Sequence, residues 1–288
     1  MSAVLLGALA AALFGLLAVT VRLGLRRGAD PEVGGVVILA LGTLVAWLAA
    51  LPSLGRVEWS GGLWVFFLIG MLVPGASQII FILAIRDAGP SRASILIGIA
   101  PLLSVGLALL VLDEPFRPLL LVATVLVVAG GAVLAGERER PVAYRRVGAA
   151  LAVLCAVLFA IRDNAVRRAT QDVEVPALAA AAVSLLGALA VIAAYLLLVR
   201  RDRLRSGLRL AARAFWPAGV TLGLAYMSLI VAFDRGRVGV VAPLNATQSL
   251  WAIAFAAALL GAAEMIGRRT VLAGVLVVAG AVIVGVIR

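Results

Sequence analysis

The chain has 288 residues, of which 64% are apolar and only 14% charged, against about 45–50% and 25% in a typical soluble domain. That balance excludes an ordinary water-soluble fold and also disorder, which needs low hydrophobicity. All 25 basic residues are arginine, 14 acids leave a formal charge of +11, and Lys and His are absent, so no histidine metal ligation or imidazole acid–base chemistry is available.

Ten apolar runs follow one another: 3–21, 33–51, 63–85, 93–112, 117–135, 147–161, 175–199, 213–233, 238–260 and 270–287. At about 20 residues per membrane helix they take up roughly 200 residues, and little is left outside the bilayer. The expected fold is an all-α polytopic membrane protein with ten transmembrane helices, integral to the cell membrane. Run one ends at Val21 without a small-residue cleavage signature, which makes it a membrane helix and not a cleaved signal. The separators are short and polar, such as Arg26 to Pro31 and Glu137 to Pro141; the longest is Arg200 to Arg213. Arginines at the run ends meet lipid headgroups and set orientation, a role that replaces nucleic acid as the meaning of the positive charge. Counted by loop, they favour termini outside.

Polar residues and helix breakers inside the runs are few. Run three holds Pro74-Gly75, Ser77 and Gln78 and closes on Arg86-Asp87; Pro101 falls inside run four. Proline removes an intrahelical hydrogen bond, and such breaks either bare carbonyls for a solute or kink a packed bundle. Glu114 and Glu264 precede runs five and ten, where an acid suits the exposed amides of a helix start. Run six contains Cys155, a small hydrophobe in this setting, and is interrupted by Arg162, Asp163 and Asn164.

An ionisable group at mid-membrane costs roughly 2.5–3.5 kcal/mol and usually faces the bundle interior or a wet cavity. That triplet is therefore the sharpest candidate for solute binding. The plainer alternative is an early end to helix six, with Arg162 snorkelling to the interface. Helical neighbours lie about 100° apart, so a direct Arg162–Asp163 bridge is poor geometry.

In run eight, Tyr226 and Ser228 sit at about the depth of Gln78, and all three are candidate hydrogen-bonding partners of a central solute. For Tyr226 the alternative is a hydroxyl that reaches a backbone carbonyl. Asp234-Arg235 ends run eight as Arg86-Asp87 ends run three, which makes Asp87 and Asp234 either gate residues or ordinary solvated helix ends. In run nine, Pro243 is followed by Asn245, Gln248 and Ser249, whose i, i+3, i+4 spacing places them on one face. Trp251 offers a stacking wall nearby. These residues suit a polar solute, or alternatively interhelical hydrogen bonding. Gly130-Gly131 and Gly280 read as close packing or a dimer face, not as binding surface.

The sequence repeats. Leu126-Val127-Val128-Ala129-Gly130 returns as Leu276-Val277-Val278-Ala279-Gly280, and Glu114 returns as Glu264, both 150 residues on. Asp87-Ala88-Gly89 matches Asp234-Arg235-Gly236 at 147, and Phe14 and Arg22 match Phe159 and Arg167 at 145. Landmarks in one order at nearly constant spacing indicate two five-helix repeats, 1–137 and 145–288. Five is odd, so the second copy crosses upside down and the repeat is inverted. Leu17, Ala18 and Val19 occupy the first-repeat positions of Arg162, Asp163 and Asn164, leaving helix six to supply the charge alone.

The ends of both halves carry a family likeness: Pro101-Leu102-Leu103 with Leu112-Asp113-Glu114-Pro115-Phe116, and Arg235 to Leu244 with Leu259-Leu260-Gly261 and Glu264. With the repeated pentapeptide, they make the chain resemble the drug/metabolite transporter superfamily, of the ten-helix type with two EamA domains. Asp113-Glu114 stands where that family commonly has glycine-glutamate, and Ser249 or Trp251 where helix nine often has proline. The resemblance implies a permease for small metabolites or drugs, often an amino-acid or metabolite exporter, with both termini cytoplasmic.

There is no glycine-rich loop ending in lysine and a hydroxyl residue, hence no ATP-driven pump, and without His the common hydrolytic triad cannot form. The expectation is not an enzyme and not a cofactor or metal protein, but a secondary carrier working by alternating access. A passive pore, which tends to show a continuous polar stripe, and a non-transporting scaffold are the alternatives. Expected partners are a small-molecule solute and membrane lipid, with no nucleic acid; a coupling proton or ion, and a monomer or homodimer, stay open. Asp163, the one acid well inside a run, is either a proton carrier or a permanent counter-ion of Arg162.

Overall fold

Runs this apolar must satisfy every backbone N–H and C=O within the chain, and helices do so. The computed structural model describes residues 2–56, 62–88, 96–115, 117–135, 146–260, 272–277, 279–280 and 283, and among them all regular structure is helical. α1 (Ala3–Arg26) starts where the Ser2 hydroxyl accepts the Leu5 amide. α2 (Pro31–Ala50) starts at Asp30, whose Oδ1 accepts the amides of Glu32 and Val33 at 2.8 and 3.1 Å, with Pro31 in the first position it favours. Run three is α3 (Gly62–Gly70), a π-turn (Met71–Ala76) and α4 (Ser77–Ala88). Runs four to eight are α5 (Ala100–Val111), α6 (Pro118–Ala135), α7 (Arg146–Asp172), α8 (Ala177–Val199) and α9 (Arg201–Arg235). Run nine divides into α10 (Val238–Ala246) and α11 (Gln248–Leu260), and residues 272–277 of run ten are helical.

Among the described residues, five stretches are long and apolar enough to cross a membrane unaided: Ala3–Arg26, Pro31–Gly55, Val147–Asp172, Ala177–Val199 and Gly207–Arg235. Shorter apolar helices make up other runs.

Packing between the halves obeys the duplication. α1 lies along α9 as α7 lies along α4; α2 packs on α9 as α8 packs on α3 and the π-turn; α1 meets α10 and α11 as α7 meets α5. α2 against α8 and α5 against α10 close the set on themselves. This exchange of equivalent runs is what two inverted repeats around an in-plane two-fold produce. Its tightest points are glycines. A side chain at Gly42 would meet the Gly219 carbonyl and Gly223 amide at 3.3 Å, and one at Gly187, 145 residues on, would run into the Phe67 carbonyl. Backbones touch there because small residues let membrane helices approach closely.

The structure corrects several expectations. Helix six does not end at Arg162, as the plainer alternative had it; α7 continues unbroken past the triplet to Asp172. The separator Arg200–Arg213 is mostly helix, because α9 begins at Arg201. Its start is tied to the α1–α2 turn by Arg203–Asp30 at 3.7 Å, Arg200–Glu32 at 3.8 Å and an Arg27 bond to the Arg213 carbonyl at 3.0 Å. Pro101 does not interrupt a helix but stands second in α5, where its missing N–H costs nothing.

Candidate functional site

Among the described residues, and apart from the π-turn of run three, runs four and nine are broken at related places. In run four residues 98–99 form a turn and α5 restarts at Ala100. In run nine Pro243 has no N–H to return to the Gly239 carbonyl. α10 ends at Ala246, and Thr247 turns by giving both its amide, at 3.1 Å, and its hydroxyl, at 2.7 Å, to the Leu244 carbonyl. Gly98 and Asn245, like Pro101 and Gln248, are 147 residues apart. Both breaks border one cavity of about 480 Å³, with Ile97, Gly98 and Pro101 on one side and Asn245, Ala246 and Gln248 on the other. The starts of α5 and α11 are therefore at its wall, bringing their positive dipole ends.

The third wall is α7, through Phe159, Arg162 and Asp163. Arg162 donates from Nε at 2.9 Å and Nη2 at 2.7 Å to the same oxygen, Asp163 Oδ1. The pair forms although adjacent helical residues are poorly placed for it. The arginine stem is long enough to fold back across the 100° between them, and burial of both, at 9% and 5% exposure, makes an unpaired charge far costlier than a bent side chain. The guanidinium lies over the Phe159 ring at 5.6 Å, within cation–π range. Asp163 Oδ2 accepts the Ser104 hydroxyl at 2.8 Å.

Asn164 parts from its neighbours. Its Nδ2 donates to the carbonyls of Ser104 and Ala160 at 3.0 and 2.9 Å, so it fastens α7 to α5 and does not line the cavity. Phe81, Val127, Val128 and Gly131 add an apolar wall. The small-residue stretch of run five is thus cavity lining at Gly131 and close packing at Gly130, where a side chain would strike Val277.

The cavity brings together Arg162, Asp163, Asn245, Gln248 and Pro101 of the expected residues and leaves others out. Tyr226 is buried without lining the cavity, and its hydroxyl donates at 3.2 Å to the Val73 carbonyl. Val73 is forced from helical geometry (φ −141°, ψ 118°) ahead of Pro74, so the tyrosine from α9 satisfies the break in run three. Ser228 returns its hydroxyl to the Leu224 carbonyl. Gln78 and Trp251 are exposed and do not line the cavity; Trp251 stacks on Phe255 at 6.0 Å. The side chains of Ser249 and Asp87, and all of Glu264, lie outside the described residues. Asp234 is exposed, and its backbone carbonyl, not its carboxylate, accepts from Arg167 at 2.9 Å. Glu114 does cap a helix, but not its own: its two oxygens accept the amides of Val238 and Gly239 at the start of α10.

Sequence reasoning passed over Ser104, Phe81, Phe159 and Arg167. Ser104 left a trace as the only polar residue between Ile95 and Leu112. Phe159 and Arg167 stood out only as landmarks of the repeat, and Phe81 left no trace in so apolar a chain.

The profile of the EamA-like transporter family matches residues 1–136 and again residues 146–286. A solved crystal structure shares the fold with a TM-score of 0.78 at 22% identity, over 99% of this chain and 96% of the other. No curated protein matches.

Proposed function

The chain belongs to the EamA-like transporter family, and from that premise we propose that it is a secondary carrier moving a small solute through the cavity between its halves by alternating access. The carrying observation is the cavity itself. Its volume of about 480 Å³ is that of a pocket for a small molecule, and the breaks of runs four and nine and the only described buried ion pair border it.

Its chemistry narrows the solute. The remaining guanidinium hydrogens of Arg162 and the starts of α5 and α11 suit a carboxylate or another acceptor group. Phe81, Phe159, Val127 and Val128 suit an apolar body. Asp163 balances Arg162, so a neutral or dipolar solute enters without leaving a net charge in the bilayer. Both oxygens of Asp163 already accept hydrogen bonds, which fits a standing counter-ion better than a proton carrier.

Purified protein in liposomes, preloaded in turn with amino acids, sugars, nucleosides and amphipathic drugs, tests the reading. Saturable counterflow of at least one solute, weakened by Arg162→Ala while the protein still inserts, supports it. Non-saturable flux would favour a pore, and no flux of any solute would favour a scaffold.

A further inference from the structure

We propose that Glu114 and Arg167 form a releasable latch that holds the α9–α10 turn shut at the end of the bundle where the N-terminus lies. The inference rests on the alternating-access reading. The last carbonyls of α9 and the first amides of α10 are groups a helix leaves unpaired. Arg167 Nη1 donates to the carbonyls of Phe233 at 2.8 Å and Asp234 at 2.9 Å. Glu114 accepts from the Val238 amide at 2.7 Å and the Gly239 amide at 3.1 Å, one bond to each oxygen. The carboxylate meets the positive end of α10 and the guanidinium the negative end of α9, so a single short connection is gripped from both sides.

A static cap usually comes from the helix it caps or the residue just before it. Here both charged groups come from the facing wall, Glu114 from the α5–α6 turn and Arg167 from α7. Those two elements are fastened to each other at mid-membrane by Ser104, through Asp163 and Asn164. The four latch bonds therefore register one group of helices, α5 with α7, against another, α9 with α10. Between latch and cavity lies packed apolar core, with Leu6, Ala108, Val166, Phe233, Val238 and Val241 all buried. From Val238 to Asn245 the rise is about 10 Å at 1.5 Å per residue. A solute leaving the cavity at this end must part α10 from α5 and α7, and the latch opens with them.

The sequence holds a second set. Glu264, Arg22 and Asp87-Ala88-Gly89 repeat Glu114, Arg167 and Asp234-Arg235-Gly236 at spacings of 150, 145 and 147. The side chains of Arg22 and Asp87 and all of Gly89 and Glu264 lie outside the described residues, and the inverted repeat alone predicts that this copy serves the opposite face.

The test uses full-length protein in oriented liposomes, with Cys155→Ala and a labelling site at Gln248→Cys, and follows an impermeant thiol reagent applied to either face. Gln in place of Glu114 offers one acceptor and turns an NH₂ toward an amide. Glu114→Gln should raise labelling from the N-terminal face about tenfold relative to the other, the ratio one charge-assisted hydrogen bond carries. Glu264→Gln should shift the ratio the opposite way. Glu114→Asp, which keeps the charge but falls short of the amides, should move with Glu114→Gln and serves if that variant does not fold. Labelling of the parent from both faces, with a ratio unmoved by either Glu114 variant, overturns the latch and leaves the carrier standing. Labelling from one face alone in every variant overturns the carrier and the latch with it.

Discussion

Replacing Asp163 by Asn keeps the side-chain shape and deletes one charge. It leaves the Arg162 guanidinium at 9% exposure without the carboxylate that now takes its Nε and Nη2 at 2.9 and 2.7 Å. Stripping one partner from a buried pair costs about 3–5 kcal/mol, because the other is left charged in a poor solvent. Arg162→Ala should cost a similar amount by stranding Asp163 on the Ser104 hydroxyl alone. The double variant Arg162→Ala/Asp163→Asn carries neither charge and should recover most of either loss. At about 2–4 °C per kcal/mol for a chain of this size, each single variant should unfold on the order of 10 °C lower. The double should fall well short of the sum. Thermal unfolding of detergent-solubilised protein, followed by tryptophan fluorescence and monodispersity on gel filtration, reads all three. A double variant as damaged as the two singles added together would refute the claim that these neighbours neutralise each other.

Three further outcomes follow from the packing. Gly187→Leu should abolish assembly, since even a Cβ there meets the Phe67 carbonyl, whereas Gly106→Ala, with open space around it, should keep its stability to within about 0.5 kcal/mol. Tyr226→Phe should lose about 1 kcal/mol with its bond to the Val73 carbonyl but leave counterflow intact, because Tyr226 does not line the cavity. Cysteines introduced by Arg26→Cys and Asp172→Cys, both exposed positions at the ends of helices one and six, should label from opposite faces; labelling from one face would contradict the inverted repeat.

Much of the fold was legible because a bilayer leaves a chain few choices. Apolar runs separated by Asp113-Glu114-Pro115 or Arg26 to Pro31 mark helices regardless of what they pack against, and the 145–150-residue spacing of landmarks is a property of the string alone. The site was legible in its chemistry and less so in its geometry. Arg162 and Asp163 stand out in any apolar run, yet their mutual bond depends on how far an arginine stem bends. Asn245 and Gln248 both line the cavity, although the helix breaks between them at Thr247, so their i, i+3 spacing is not what brings them together. Gln78 and Trp251 did not join them, because a uniformly apolar helix gives no signal of its rotation. Pro243 announced a break four residues before it appears at Thr247, and Pro101 announced one that lies just ahead of it. Glu114 was legible as the acid at a helix start, but its partner amides lie 124 and 125 residues away in sequence, beyond the reach of any local pattern.

The central claim is that solute passes through the cavity bounded by Arg162 and Gln248. Counterflow in liposomes, measured for Gln248→Trp beside Leu198→Trp at a surface position 85% exposed, tests it most directly. Filling the cavity at Gln248 should abolish counterflow at unchanged protein level while Leu198→Trp transports like the parent. Full transport by Gln248→Trp would contradict it.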